Sequence, residues 1–150
     1  MDDRYIRGME MQTLDFATDK RLLWEKNHQI YSVIFEITPR CNFNCVHCYL
    51  HDHHCSEELP LHEVLRIIDI LYEKEVLFLT LTGGDIFTRK DFADIYLYAK
   101  KKGFIIELYT NGALIDEKYV QMFKEYPPLL VDISLYGSCE ETYKKVTGVS

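Results

Sequence analysis

The sequence predicts an α/β fold built on a parallel sheet, and three observations carry that prediction. Four apolar runs, at residues 31–38, 76–82, 104–110 and 129–135, alternate with segments whose apolar residues recur at helical spacing. The second run, Val76 to Thr82, is almost continuously apolar, as suits a strand covered on both faces. After each run comes a cysteine loop or a glycine-bearing turn, and then the next helical segment. Strands joined through helices run parallel with right-handed crossovers. In such sheets ligands bind at the C-terminal ends of the strands.

Composition narrows the function classes. The chain has 150 residues, enough for one sizeable core, and its 47% hydrophobic and 27% charged fractions are those of a globular protein. A formal net charge of −7 with no basic block argues against a nucleic-acid partner. Arg89-Lys90 and Lys100 to Lys102 are expected to face solvent at the two ends of one helix. No apolar run reaches the roughly 18 residues of a membrane span. The acidic start Met1-Asp2-Asp3 lacks the apolar region of a signal peptide, so a cytoplasmic setting is expected. Four of the five cysteines lie between Cys41 and Cys55, which suggests a metal site rather than a disulfide framework.

The elements follow in order. Residues 1–30 form a separate N-terminal segment, with a helix expected between Ala17 and Gln29. Tyr31 to Thr38, rich in β-branched and aromatic residues, reads as the first strand. Pro60 suits the first turn of a helix whose apolar face holds Leu61, Val64, Leu65, Ile68, Leu71 and Tyr72. Val76 to Thr82 is the second strand, ended by Gly83-Gly84-Asp85. A capping arrangement at Thr88 to Asp91 opens a second helix that buries Phe92, Ile95, Tyr96 and Ala99 and stops at Gly103. Phe104 to Thr110 is the third strand, closed by Asn111-Gly112. The third helix, about Asp116 to Tyr126, should bury Tyr119, Val120 and Phe123, and Pro127-Pro128 ends it. Leu129 to Leu135 is the fourth strand, followed by Tyr136-Gly137. Ser138 to Glu141 has a capping-box pattern opening a short helix that ends near Gly148. The cysteine loop and the turns at Gly83, Asn111 and Tyr136 should therefore meet at one edge of the sheet.

Cys41, Cys45 and Cys48 are the chemical centre of this edge. Three thiols cannot pair off as disulfides. A structural zinc site takes four ligands, and Cys55 or one of His47, His51, His53 and His54 could supply the fourth. That makes a zinc-stabilised binding or scaffold module one reading. A four-iron cluster held by three thiolates is the other, with one iron left open to bind and activate a small molecule.

Cys41-x-x-x-Cys45-x-x-Cys48 after a first strand resembles the signature of the radical S-adenosylmethionine (radical SAM) enzymes. Gly83-Gly84-Asp85 after the second strand resembles the Gly-Gly-Glu motif that holds the methionine amino group of SAM, with Asp in place of the commoner Glu. Thr110-Asn111-Gly112 and Ile133 to Gly137 are similar to the family's third and fourth strand ends. The resemblance, over about residues 31–150, implies a partial (β/α) barrel with four of an expected six βα units. It implies a 4Fe–4S cluster on Cys41, Cys45 and Cys48, with SAM on the open iron. SAM contacts are implied for Gly83, Gly84, Asp85, Asn111 and Ser134, and an adenine contact for His47. The implied reaction is reductive cleavage of SAM to a 5′-deoxyadenosyl radical that abstracts hydrogen from substrate. A flavodoxin- or ferredoxin-like protein would donate the electron. Leu79 to Asn111 and Cys48-Tyr49 look most like the peptide-modifying and cofactor-maturing enzymes, which carry auxiliary clusters in a C-terminal extension. With four of six units, the chain is expected to be a fragment or a truncated product, or to have the rest supplied by a partner, and by itself to bind a cluster but be weak or inactive as an enzyme. A degenerate barrel piece that binds partners and catalyses nothing is the third reading.

Overall fold

The computed structural model describes residues 22, 24–50 and 58–149. Two compact units divide the chain, Met1–Tyr31 and Ser32–Ser150. In the first, Leu22 and residues 24–26 are helical, and the Trp24 ring stacks on Tyr31 at 5.2 Å between centroids. Of the helix expected between Ala17 and Gln29, residues 17–21 and 23 lie outside the described residues and 27–29 are turn and coil; His51, His53, His54 and Cys55 also lie outside the described residues.

The second unit is the βα repeat. Its strands are β1 (Ser32–Thr38), β2 (Phe78–Gly83), β3 (Ile105–Thr110) and β4 (Leu130–Ile133). Its helices are α1 (Leu61–Glu73), α2 (Phe92–Lys102), α3 (Glu117–Glu125) and α4 (Glu140–Thr147), with a 3-10 turn at Ile86–Thr88. Among the described residues the strands form one sheet in the order β1-β2-β3-β4, and every pairing is parallel. This is the architecture expected from the alternation of periods.

One face of the sheet supplies the core. Leu79 and Leu81 of β2 and Ile106 and Leu108 of β3 are fully buried against Val64 and Ile68 of α1 and Phe92, Ile95 and Ala99 of α2. Each such side chain contributes about 1.5–3 kcal/mol by leaving water. Phe87, in the 3-10 turn, joins the aromatic rings of Phe92 and Tyr119 at 4.8 and 4.7 Å. Gly103 ends α2 in the left-handed conformation, as its position predicts.

Five expectations need correction. Tyr72 is 53% exposed rather than part of the α1 stripe: it sits in the last turn, where Lys102 Nζ lies over its ring at 5.1 Å. Arg89 does not face solvent. It is buried, and its guanidinium bonds the Asp91 carboxylate (2.7 Å) and the carbonyls of Ile37 (2.7 Å) and Leu59 (2.8 Å). That same bond occupies Asp91, so the capping arrangement before α2 does not form. Val120 is exposed, because α3 packs through Tyr119, Met122, Phe123 and Tyr126, the true i, i+3, i+4, i+7 stripe. The N-cap of α4 is Cys139, one residue later than the Ser138 box requires, and no side chain caps that end.

The cysteine loop and the cavity at the strand ends

The site begins where β1 ends. Between Glu36 and Thr38 the β1–β2 register shifts by one residue, a bulge that bends the strand just before the cysteine loop. Arg40 is clasped by Glu58 through Nε (2.8 Å) and Nη2 (2.7 Å), and Thr38 Oγ1 bonds the same carboxylate. The β2 end then comes up against this segment. Gly84 N–H donates to Thr38 O (2.9 Å) and Asp85 N–H to Arg40 O (2.8 Å). A Cβ on Gly83 would lie 2.2 Å from Thr38 O, and one on Gly84 would lie 2.2 Å from Arg40 O. Gly83 also has a φ of +153°, which side-chain-bearing residues rarely adopt. The glycine pair is thus required by backbone packing within the protein.

The loop itself is fastened at several points. Phe43 is buried, with its ring edge-on to Tyr143 of α4 at 6.0 Å. Asn44 N–H and Val46 N–H donate to the carbonyls of Thr147 and Val146, both at 2.9 Å. Cys48 N–H turns back to Cys45 O (3.1 Å). Cys41, Cys45 and Cys48 are all half-buried.

A cavity of about 210 Å³ opens between this loop and the strand ends. Cys41, Cys45, Cys48, His47, Gly83, Gly84, Asn111 and Ser134 all line it. Thus eight of the nine residues that the resemblance implied for cluster and SAM line one cavity. The His47 ring lies against Tyr136 at 4.6 Å. Ser134 is aligned by its N–H bond to Thr110 O (3.0 Å).

Asp85 is the ninth, and its carboxylate turns inward. It is fully buried and does not line the cavity. Its Oδ1 accepts from Phe87 N–H (3.0 Å), and its Oδ2 accepts from Thr110 Oγ1 (2.6 Å) and Asn111 N–H (2.9 Å). The carboxylate therefore ties the ends of β2 and β3 to the 3-10 turn. Sequence reasoning passed over Tyr49, Thr82 and Tyr109, which also line the cavity. Tyr49 OH bonds Glu36 Oε1 (2.8 Å), and its pKa is pushed up to about 12 by desolvation and by that carboxylate. Strand alternation could have indicated Thr82 and Tyr109, which occupy the same-facing ends of β2 and β3.

The donor set fits a cluster. Burial pushes the Cys41 and Cys45 thiols above the usual range, so a cationic centre is what would hold them as thiolates. At Cys41, N–H bonds from Phe43 and Asn111 pull the other way. Among the described residues, no three Cys, His, Asp or Glu side chains converge on the space of one metal ion. The three thiols instead share the lining of one cavity, where they would together hold a four-iron cluster.

Comparison with known proteins agrees with this arrangement. The family model described as the radical SAM superfamily matches residues 35–150. Fe-coproporphyrin III synthase of Methanosarcina barkeri (strain Fusaro / DSM 804) is 33% identical over 148 residues, which are 97% of this chain and 35% of that protein. The antilisterial bacteriocin subtilosin biosynthesis protein AlbA of Bacillus subtilis (strain 168) is 31% identical over 116 residues, 76% of this chain and 26% of that one. In fold the chain is similar to Streptococcus suis SuiB bound to precursor peptide SuiA, with a TM-score of 0.72 at 17% identity, covering 93% of this chain and 32% of that chain. The chain thus spans about a quarter to a third of the length of these relatives. With parallel βα units, a three-cysteine loop at their C-terminal edge and a family match across most of its length, this chain belongs to the radical SAM superfamily.

Proposed function

We propose that this protein is a radical SAM enzyme acting on a peptide or a cofactor precursor. The observation that carries the reading is the gathering of Cys41, Cys45 and Cys48 with Gly83, Gly84, Asn111, Ser134 and His47 around one cavity. Cys41, Cys45 and Cys48 would hold a 4Fe–4S cluster through their three thiolates. When bound, that cluster supplies one electron to SAM, yielding methionine and a 5′-deoxyadenosyl radical that takes hydrogen from substrate.

The chain's own residues bind and orient. Gly83 and Gly84 present backbone to the cavity wall, where the methionine end of SAM would lie. Ser134 offers a polar group from the end of β4. His47 and Tyr136 form an aromatic wall suited to stacking on adenine. The thiols lie half-buried in the recess between Phe43 and the strand ends. A flavodoxin- or ferredoxin-like donor would supply the electron. The substrate classes rest on the relatives, since one is named for Fe-coproporphyrin III synthesis, one for bacteriocin biosynthesis, and one is bound to a precursor peptide.

Anaerobic reconstitution tests the reading. The expected result is about four irons per chain, a brown chromophore and an electron paramagnetic resonance (EPR) spectrum of the reduced protein that changes when SAM is added. Alanine at Cys41, Cys45 or Cys48 should abolish iron loading, whereas Cys55→Ala should keep it. A colourless protein holding one zinc, lost on Cys55→Ala, would overturn the reading in favour of a structural zinc module.

A further inference from the structure

Asn111 stands between a buried carboxylate and a thiol. Its backbone N–H is held by Asp85 Oδ2 (2.9 Å), and its side-chain Oδ1 accepts from Ala113 N–H (3.0 Å). The second bond settles the amide orientation, because a backbone N–H can only meet the oxygen. The Nδ2 end therefore points to the cysteine loop. One of its hydrogens goes to Asn42 Oδ1 (2.8 Å), and the other is directed at Cys41 Sγ (3.8 Å). Cys41 Sγ also accepts from Phe43 N–H (3.3 Å). Both amide hydrogens of Asn111 and one lone pair of its Oδ1 thereby have partners within the protein.

We infer that Asn111 tunes the metal centre through Cys41, as a donor held in place by Asp85, rather than serving chiefly as a contact for SAM. The inference rests on the reading of Cys41 as a cluster ligand. Hydrogen bonds to ligand sulfur are one of the levers that set cluster potential. A donor pulls charge off the thiolate and so favours the form of the centre that carries one more electron. The Asn111 amide thus raises the potential and makes the centre easier to charge from a protein donor. Asp85 acts through Asn111, by fixing the β3 end. Its inward position also accounts for the shorter acid, since three donors lie within reach of a carboxylate one methylene from the backbone.

The test is an EPR-monitored redox titration of the reconstituted chain with SAM left out, so that any SAM contact of Asn111 does not enter. Asn111→Leu removes the donor at similar size and no charge. Asn111→Asp keeps the oxygen for Ala113 N–H and loses the donor. Both variants should hold the parent's iron content and show a midpoint potential shifted to more negative values. Unchanged potentials at full iron loading overturn the inference. Failure of both variants to load iron when the parent loads it also overturns it, since a donor that tunes is not needed for assembly. If the parent itself loads no iron, the reading of the site fails, and this inference falls with it.

Discussion

At Asp85 a fully buried carboxylate accepts from one hydroxyl and two backbone N–H groups, drawn from the end of β3 and from the 3-10 turn. Replacing it with alanine leaves those donors buried and unpaired, which should cost about 3–5 kcal/mol of stability. Urea unfolding of parent and Asp85→Ala proteins measures this, and a loss under about 1 kcal/mol would contradict the role given to it. The cysteines differ among themselves in a way that alkylation can read. Cys139 is exposed, and its bond to Thr142 lowers its pKa, whereas burial raises the pKa of Cys41 and Cys45. A lowered pKa means more thiolate at neutral pH. In cluster-free protein at pH 7, iodoacetamide followed by mass spectrometry should therefore label Cys139 ahead of Cys41 and Cys45. The gap should narrow as the pH rises past the ordinary thiol range. The motif at residues 83–85 was legible as a unit from its place after a strand. The inward turn of its third side chain was not, because the groups that hold it, Thr110 and Asn111, lie 25 and 26 residues away.

At the scale of elements, the junction of β1 and β2 decides whether the cysteine loop is presented correctly. The Gly84 backbone lies against Arg40 O, so a methyl there meets backbone atoms that cannot swing aside. Gly84→Ala should destabilise the protein by about 3 kcal/mol and lower iron loading at the same time. Thermal melting and iron assay on the same preparation check both. Iron loading at the parent's level with unchanged stability would show that the close approach is not needed. The elements themselves were readable from periodicity, and so were the buried faces of α1 and α2. The errors fell where side chains had a tertiary partner: Arg89 drawn inward by Asp91, Ile37 and Leu59, and Tyr72 placed under Lys102. Helical spacing also marked Val120 as inward, but α3 packs through a stripe centred on Met122 and Phe123, and the direction of that stripe depends on where α2 lies.

For the molecule as a whole, the fourth strand is the exposed side. Leu129, Leu130, Ile133 and Leu135 are 60%, 48%, 52% and 77% exposed, and β4 has β3 as its neighbour in the sheet. An apolar edge of this kind promotes association between chains. The 150-residue chain should therefore self-associate as its concentration rises, and the double substitution Leu129→Lys, Leu135→Lys should shift it toward monomer in sedimentation velocity. A chain that stays monomeric at all concentrations would contradict this. Taken alone, the sequence determined the order of strands and helices, the parallel sheet and the loop with three thiols. Those follow from residue periodicity and from turn residues, which are local. The tertiary structure alone decided that Asn111 reaches Cys41, that Asp85 faces inward, and that Gly83 and Gly84 serve the packing of β2 on the loop after β1. Each of these depends on groups brought together from different strands, and only the sheet register sets their distances.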